Sequence, residues 1–238
     1  LVRLPISKSL LVNKGFKSLG VKKVVNYLNK PYLKDVNFGV SVGSSNISKI
    51  NTIKKSIKDY INTFKILEKS PYIKYYELNI SCPNTKMPES FTDPINFNNL
   101  ISRVANLKLS RPVFIKMPNE LNFSDTEKLV TIALGKGFNA FIFSNLVKSR
   151  ANSNLNTEEL KKVERLPGNF SGKPCNKNVL ASVRHFRNKY GNKIVLVGCG
   201  GIMCKKDAEE MFSSGADLIQ LVTGLIYRGP TLVNDINS

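Results

Sequence analysis

Residues 79–85, which read Asn-Ile-Ser-Cys-Pro-Asn-Thr, concentrate amide, thiol and hydroxyl groups in seven consecutive positions. An asparagine amide both donates and accepts hydrogen bonds, so Asn79 and Asn84 are suited to binding the edges of a planar heterocycle. Cys82 follows an apolar run that predicts a strand, and a thiolate at a strand end can act as a base. A polar turn around a buried cysteine is the alternative interpretation.

Lys116 ends an otherwise apolar run, Pro-Val-Phe-Ile-Lys-Met at 112–117. A buried ammonium group is costly without an anionic partner, which suggests that Lys116 faces a ligand. The alternative is that its long side chain reaches solvent.

Glycines mark a candidate phosphate site. Gly200 and Gly201 follow an apolar run, and Thr223 precedes Gly224 at the end of the next one. Such turns expose backbone N–H groups, and barrels often bind phosphate after their last two strands. Gly172, in a Ser-Gly-Lys-Pro motif, is a candidate for the same cofactor edge, although tight turns alone would also account for these glycines. Together with Lys116 and the segment 79–85, these features predict a flavin oxidoreductase.

The elements that must position these groups alternate between strands and helices. Strands are predicted at 36–42, 74–80, 112–117, 139–143, 193–198 and 217–222, and helices at 48–68, 95–107, 124–136, 177–189, 205–214 and 230–237. Polar residues at the strand ends are typical of an α/β protein with the (β/α)8 TIM-barrel fold. Because six of eight strand–helix units are recognised, we expect one barrel domain over 1–238, incomplete at its N-terminus and shortened at its C-terminus. Residues 1–35 are expected to form a cap, and 146–176 a functional loop.

The chain carries a formal net charge of +19, with 36 Lys and Arg against 17 Asp and Glu. Its lysines are spread over predicted helix faces, which favours a solvated surface over specific nucleic-acid binding and leaves attraction to anionic lipid or substrate open. Four cysteines without zinc-type or disulfide-type spacing, and a single histidine, His185, predict no metal site. We expect a cytoplasmic protein, either free or peripheral on the inner face of the cell membrane.

Taken in order, these motifs resemble the dihydroorotate dehydrogenases, FMN-dependent barrel enzymes of pyrimidine synthesis. The resemblance runs through Arg3-Leu4-Pro5, Asn13-Lys14-Gly15-Phe16, 79–85, Lys116, Ser144-Asn145, Ser171-Gly172-Lys173-Pro174, 198–202, 220–224 and Gly229-Pro230. It implies oxidation of dihydroorotate to orotate on the route to UMP, with FMN as cofactor and quinone as the favoured electron acceptor.

The resemblance implies a role for each matched residue. Cys82 takes the catalytic-base position, where it would remove the C5 proton as hydride leaves C6 for the flavin. The substrate-binding positions are Asn13, Lys14, Gly15, Phe16, Asn79, Asn84 and Asn145. The FMN-binding positions are Ser41, Asn79, Lys116, Ser144, Gly172, Gly200, Gly201, Val222 and Thr223, the last of them around the phosphate.

Some positions depart from the quinone-dependent class. That class usually has Ser where Cys82 stands, commonly has a flavin-binding Asn where Ser41 stands, and has Thr where Leu146 stands. The upstream flavin strand and the membrane-docking extension of that class are not in this sequence, so we expect a fragment of a longer protein. The alternatives are another FMN barrel that acts on a reduced pyrimidine with a soluble acceptor, and a basic nucleic-acid-binding barrel without redox activity.

Overall fold

The structure, a computed structural model, describes residues 1–82 and 89–238. Its strands are, in chain order, β1 (Val2–Leu4), β2 (Ser9–Val12), β3 (Gly39–Val42), β4 (Tyr75–Asn79), β5 (Val113–Lys116), β6 (Ala140–Phe143), β7 (Asn169–Gly172), β8 (Val195–Cys199) and β9 (Leu218–Gln220). Its α-helices are α1 (Val21–Leu28), α2 (Ile53–Leu67), α3 (Pro94–Ala105), α4 (Phe123–Leu134), α5 (Thr157–Val163), α6 (Lys173–Tyr190), α7 (Lys205–Ser213), α8 (Thr223–Arg228) and α9 (Thr231–Asn237). The chain forms two compact units: unit 1 consists of Leu1–Lys14, Met117–Phe123 and Phe141–Ser238, and unit 2 of Gly15–Lys116 and Ser124–Ala140.

Unit 2 contains the adjacent parallel strands β3, β4 and β5. Their register places Ser41 beside Glu77, Glu77 beside Phe114, and Asn79 beside Lys116. Side chains alternate between the two faces of a strand, so Glu77 and Asn79 lie on the same face. The carboxyl ends of these strands therefore bring polar side chains together on one face of the sheet.

The opposite face of β4 packs on helix α2. Tyr76 and Phe64 are both fully buried, and their rings meet edge-on with centroids 5.4 Å apart. Helix α2 begins where the Thr52 side chain accepts a hydrogen bond from the Lys55 N–H, and Asp93 caps α3 in the same way. These caps satisfy N–H groups that have no partner within the helix, and so fix where each helix starts.

Unit 1 combines a parallel pair with an antiparallel sheet. Strands β8 and β9 are parallel, with Cys199 beside Gln220. Strands β1, β2 and β7 form an antiparallel sheet in that order. In this sheet Ser9 lies opposite Gly172, and Val12 lies opposite Asn169. The Ser-Gly-Lys-Pro motif and the start of the chain are therefore neighbours in space.

A buried carboxylate holds the β1–β2 hairpin in place. Glu159 of α5 accepts hydrogen bonds from the N–H of Ile6 and from both the N–H and the hydroxyl of Ser7, at 2.6–2.9 Å. Burial disfavours the charged carboxylate, but the hydrogen bonds from Ser7 and Ile6 outweigh it and lower the pKa of Glu159 below its ordinary value. The hairpin is thus tied to α5 as well as to β7.

Each of the six predicted strands is present, as β3, β4, β5, β6, β8 and β9, with ends shifted by at most three residues. Parallel strands that alternate with helices confirm the predicted α/β class. The single-domain assignment stays a prediction. No helix within the described ranges is both long and apolar enough to cross a membrane.

The expectation of one long loop over 146–176 is wrong, because this stretch holds α5, β7 and the start of α6. Residues 1–35 hold β1, β2 and α1, and the expectation that they form a cap stays a prediction. Helix α8, starting at Thr223, was not predicted. The strands β2 and β7 are four residues each and pair across about 160 positions of sequence, so neither carries a strong local signal.

Candidate functional site

The ends of β4 and β5 in unit 2 are joined by hydrogen bonds. Asn79 is 9 % exposed; its side-chain oxygen accepts from the Ser81 N–H at 3.3 Å, and its backbone oxygen accepts from the Tyr60 hydroxyl at 2.7 Å. The fully buried Ser81 hydroxyl donates to the backbone oxygen of Lys116 at 2.8 Å. Asn79 and Lys116, both predicted from sequence, are thus held side by side.

Cys82 lines a small cavity of unit 2. The lining residues are Phe16, Ser44, Ser45, Ile50, Ser56, Tyr60, Asn79, Ile80, Cys82, Glu89 and Phe91. Burial raises the pKa of Tyr60 well above its ordinary value, so its hydroxyl stays protonated and cannot take up a proton. The thiol of Cys82 and the carboxyl of Glu89 are therefore stronger candidates for a base on the described cavity wall than the hydroxyls of Ser44, Ser45 and Ser56.

Phe16 reaches the same cavity from the Asn13–Phe16 motif. A Cβ placed on Gly43 would lie 2.5 Å from the Phe16 ring, so the ring lies directly on the backbone at the end of β3. Gly15 has φ 57°, a left-handed conformation that favours glycine, just before this ring. Three of the predicted substrate residues, Phe16, Asn79 and the neighbouring Gly15, are thus placed within unit 2.

Lys116 has an anionic partner that we did not predict. Its ammonium nitrogen lies 3.6 Å from Oε2 of Glu77, and the two side chains are only 15 % and 9 % exposed. The Ser41 hydroxyl donates to Oε1 of the same carboxylate at 2.5 Å. Lys116 is therefore mostly shielded from solvent, in a polar cluster of unit 2. Ser41, a predicted FMN residue, belongs to that cluster and is itself exposed.

The glycine motifs of unit 1 converge on the first turn of α6. Gly172, with φ 83°, is the N-cap of α6, and a Cβ there would lie 2.3 Å from the Lys8 carbonyl oxygen and 2.9 Å from Thr223 Cγ2. The Ser171 and Thr223 hydroxyl oxygens are 2.8 Å apart. The start of α6 and the start of α8 are thus in contact through Gly172, Ser171 and Thr223.

The loop after β8 lies against the same turn. A Cβ on Gly200 would lie 2.7 Å from Cys175 Cβ, and one on Gly201 would lie 2.4 Å from Asn176 Cβ. Both glycines have positive φ, 143° and 75°. No other residue type allows this loop to approach α6 so closely without displacing Cys175 or Asn176.

Donors around these glycines fit a phosphate group. The buried Asn176 amide nitrogen has no hydrogen-bond partner among the residues that the structure describes. Among residues 1–82 and 89–238, none accepts a hydrogen bond from the backbone N–H of Gly200 or of Gly201. Buried donors are normally satisfied, and the N-terminus of a long helix attracts anions. The predicted phosphate site is therefore chemically suited to that group.

Ser144 and Asn145 follow β6 in unit 1. The Ser144 N–H donates to the Cys199 carbonyl at 2.9 Å, and its buried hydroxyl accepts from the Asn119 amide at 2.6 Å. The Asn145 N–H donates to the Met117 carbonyl at 3.1 Å. Both predicted residues are thus fixed at the strand end, and Asn119 is an additional polar residue there.

Lys173 of the Ser-Gly-Lys-Pro motif anchors α6 to α7. Its ammonium donates to Asp207 Oδ1 at 2.6 Å, and Oδ2 accepts from the Met203 N–H at 2.8 Å. Burial disfavours the Asp207 carboxylate, but the Lys173 hydrogen bond and the Met203 N–H outweigh it and lower its pKa. Lys173 therefore supports the glycine site through an ion pair.

The remaining predicted residues lie as follows. Asn13 and Lys14 are exposed after β2, where a Cβ on Gly168 would come within 3.2 Å of Asn13 Cβ. Val222, 61 % exposed, is the N-cap of α8. Asn84 lies outside the described residues. Unit 1 thus brings together the predicted phosphate residues. Unit 2 brings together Cys82, Asn79 and Lys116. The role assigned to each of these residues stays a prediction.

Sequence reasoning missed Glu77, Asn119 and Asn176. Glu77 carried a signal, since it stands two positions before Asn79 in an apolar strand and alternation puts both on one face. Asn119 carried a weaker one, three residues after Lys116. Nothing in the sequence marks Asn176, because its significance lies in a contact with Gly201.

This chain is similar to known proteins along nearly its whole length. A family model described as dihydroorotate dehydrogenase matches residues 1–238. A relative from Coxiella burnetii (strain Dugway 5J108-111), named dihydroorotate dehydrogenase (quinone), is 30 % identical over 98 % of this chain and 67 % of its own length. One of the same name from Chloroflexus aurantiacus (strain ATCC 29366 / DSM 635 / J-10-fl) is 30 % identical over 100 % of this chain and 66 % of its own length. The chain thus spans about two thirds of these relatives.

A solved structure has the same fold. The crystal structure of DHODH from Eimeria tenella in complex with ferulenol superposes with a TM-score of 0.83, at 20 % identity, over 97 % of this chain and 66 % of that one. The predicted TIM-barrel class is confirmed by this likeness. With the family model matched from the first residue to the last, the chain belongs to the dihydroorotate dehydrogenase family.

Proposed function

We propose that the protein containing this chain oxidises dihydroorotate to orotate in UMP biosynthesis, with FMN as cofactor and quinone as electron acceptor. The observation that carries the proposal is the position of Cys82, which shares a cavity with Asn79 and Phe16 at the strand ends. A thiol, an amide and an aromatic ring suit a small planar substrate whose C–H bond must lose a proton.

Cys82 is the proposed base. Orotate differs from dihydroorotate by two hydrogens, so one carbon, C5, must lose a proton and the other, C6, must lose a hydrogen with its electron pair. The Cys82 thiolate takes the C5 proton, and the Asn79 amide binds a polar edge of the ring. The Ser81 N–H donates to the oxygen of this amide, and the Tyr60 hydroxyl holds the Asn79 backbone. Tyr60 cannot replace Cys82, since burial keeps it protonated.

Bound FMN would supply the two-electron acceptor chemistry that no side chain offers. Gly172, Gly200, Gly201 and Thr223 are the proposed phosphate ligands, with Asn176 as an additional donor. The Lys116 ammonium is the proposed counter-charge for the reduced ring. The close approach of these glycines to neighbouring atoms and the unsatisfied Asn176 amide support the assignment of the phosphate ligands.

Quinone is proposed because the two relatives above carry it in their names. A quinone dissolved in a membrane requires the enzyme to reach the membrane surface, and a net charge of +19 favours contact with anionic lipid. We therefore propose peripheral attachment to the inner face of the cell membrane, from the cytoplasmic side.

The proposal is tested on the complete purified protein. We expect about one FMN for each protein molecule, and turnover of dihydroorotate with a short-chain quinone but not with fumarate or NAD. Turnover with fumarate or NAD in place of quinone would make the acceptor assignment wrong. Protein that holds no FMN, even after reconstitution, would contradict the function itself.

A further inference from the structure

Glu77 is a buried carboxylate beside the lysine that we assign to the flavin. It is 7 % exposed and lies in the middle of β4, between the neighbouring strands β3 and β5. Buried carboxylates are rare unless they are paired and hydrogen-bonded. Glu77 is both, through the Lys116 ammonium and the Ser41 hydroxyl.

The register of the sheet fixes this geometry. Glu77 pairs with Phe114, and Asn79 pairs with Lys116, two positions further toward the carboxyl ends. The carboxylate therefore lies one layer below Asn79 and Lys116, on the same face of the sheet. The Lys116 side chain is drawn down toward that layer, with Nζ 3.6 Å from Oε2 of Glu77.

The pair changes the charge that Lys116 presents. An isolated ammonium would strongly attract an anionic group at the strand ends. With a carboxylate 3.6 Å away, the positive and negative charges largely cancel, so the attraction for an anionic group is weaker. We propose that Glu77 is a positioning residue that holds the Lys116 ammonium and partly cancels its charge, thereby lowering the reduction potential of the bound flavin. The flavin part of this inference rests on the proposed function.

The coupling of Glu77 with Lys116 is tested first without flavin. In the complete apoprotein, Lys116→Met removes the ammonium that lies beside the buried Glu77 carboxylate, so we expect a lower urea midpoint. Glu77→Gln in that background removes the charge and should raise the midpoint again. The pair is supported if the unfolding equilibrium constant of the double variant differs at least fivefold from the value that the two single substitutions predict by addition. The pair is overturned if the two single effects simply add.

The effect on flavin is tested in the holoprotein by redox titration. Glu77→Gln keeps an acceptor for Ser41 but loses the charge, so reduced FMN should bind at least tenfold more tightly relative to oxidised FMN, which equals a rise of about 30 mV. The matched control is Glu68→Gln, since Glu68 pairs with Arg111 at 3.1 Å before the start of β5. We expect no shift in this control.

The two failures are distinguishable. A Glu77→Gln holoprotein with the wild-type potential overturns the inference, while the proposed function stands. Wild-type protein that binds no FMN overturns the proposed function and the flavin part of the inference together, whereas the urea experiment still decides whether Glu77 and Lys116 are coupled.

Discussion

Gly201 lies so close to Asn176 that a Cβ atom on the glycine would be 2.4 Å from the asparagine Cβ. This contact brings the loop after β8 onto the first turn of α6. It places the buried Gly201 beside Asn176, whose side-chain amide nitrogen is a buried donor. The closeness of the two residues is therefore the structural basis of the proposed phosphate site.

Substituting Gly201 tests this closeness. Gly201→Ala should separate the loop from α6 and weaken FMN retention at least tenfold. Its steric overlap should lower the free energy of unfolding by about 1–3 kcal/mol, in addition to the cost of an alanine at positive φ. The matched control is Gly229→Ala, which has the same φ of 75° but no atom within 4 Å of the added Cβ. The control should lose only the cost of the backbone conformation, about 1–2 kcal/mol, and keep FMN. Equal FMN loss in both variants would contradict a role for the contact.

The Asn176 amide is expected to favour the phosphate of FMN specifically. Asn176→Asp replaces a donor with a negative charge, so its affinity for FMN should fall at least tenfold while its affinity for riboflavin, which lacks the phosphate, changes little. Asn188→Asp, near the other end of α6, makes the same charge change far along the helix and serves as the control. Fluorescence titration with both ligands measures the difference. A similar loss of both affinities would mean that Asn176 acts only through packing.

The Lys173–Asp207 pair predicts a pH dependence of stability. Folding lowers the pKa of Asp207, so the ionised carboxylate contributes to the free energy of unfolding. This contribution is complete above the unfolded-state pKa of about 3.9, and it is lost as the pH falls through the pKa of the folded state. Asp207→Asn should reduce the free energy of unfolding by about 1–3 kcal/mol at pH 7, and the gap to wild type should narrow below about pH 4. The control is Glu158→Gln, because Glu158 forms an ion pair with Lys161 in which the Lys161 and Glu158 side chains are 67 % and 70 % exposed. This substitution should change the free energy of unfolding by less than about 1 kcal/mol. If the difference in the free energy of unfolding between Asp207→Asn and wild type instead grows as the pH falls, the predicted direction is contradicted.

Replacing Cys82 separates the two possible bases of its cavity. Cys82→Ala should retain FMN but slow flavin reduction by dihydroorotate by ~10²–10⁴-fold, the usual contribution of a general base. Cys82→Ser should keep part of the rate, with its optimum at higher pH. Glu89→Gln, on the same cavity wall, should leave the rate nearly unchanged. Stopped-flow measurement in which Glu89→Gln, and not Cys82→Ala, abolishes reduction would assign the base to Glu89.

The sequence allowed the strands, and with them part of the candidate site, to be predicted. Strands such as Ala140–Phe143 and Val195–Cys199 are short apolar runs that end on polar or glycine residues, so their position followed from local pattern. Asn79 and Lys116 are at the strand ends, as expected. Strand β7 was missed because Asn-Phe-Ser-Gly becomes a strand only through its pairing with β2.

Tertiary contacts account for the rest. The ion pair of Glu77 with Lys116 depends on the register of β4 and β5, which no single strand determines. The local pattern predicts Thr223 at a strand end, whereas Thr223 begins α8 and its hydroxyl contacts that of Ser171. Composition and periodicity describe neither kind of contact.

The most direct measurement is anaerobic reduction of the complete, FMN-loaded protein by dihydroorotate. We predict that the visible absorption of oxidised flavin disappears in a single turnover, that one orotate forms for each flavin, and that added quinone restores the colour. Flavin that stays oxidised in excess dihydroorotate, although dithionite reduces it, would contradict the central claim.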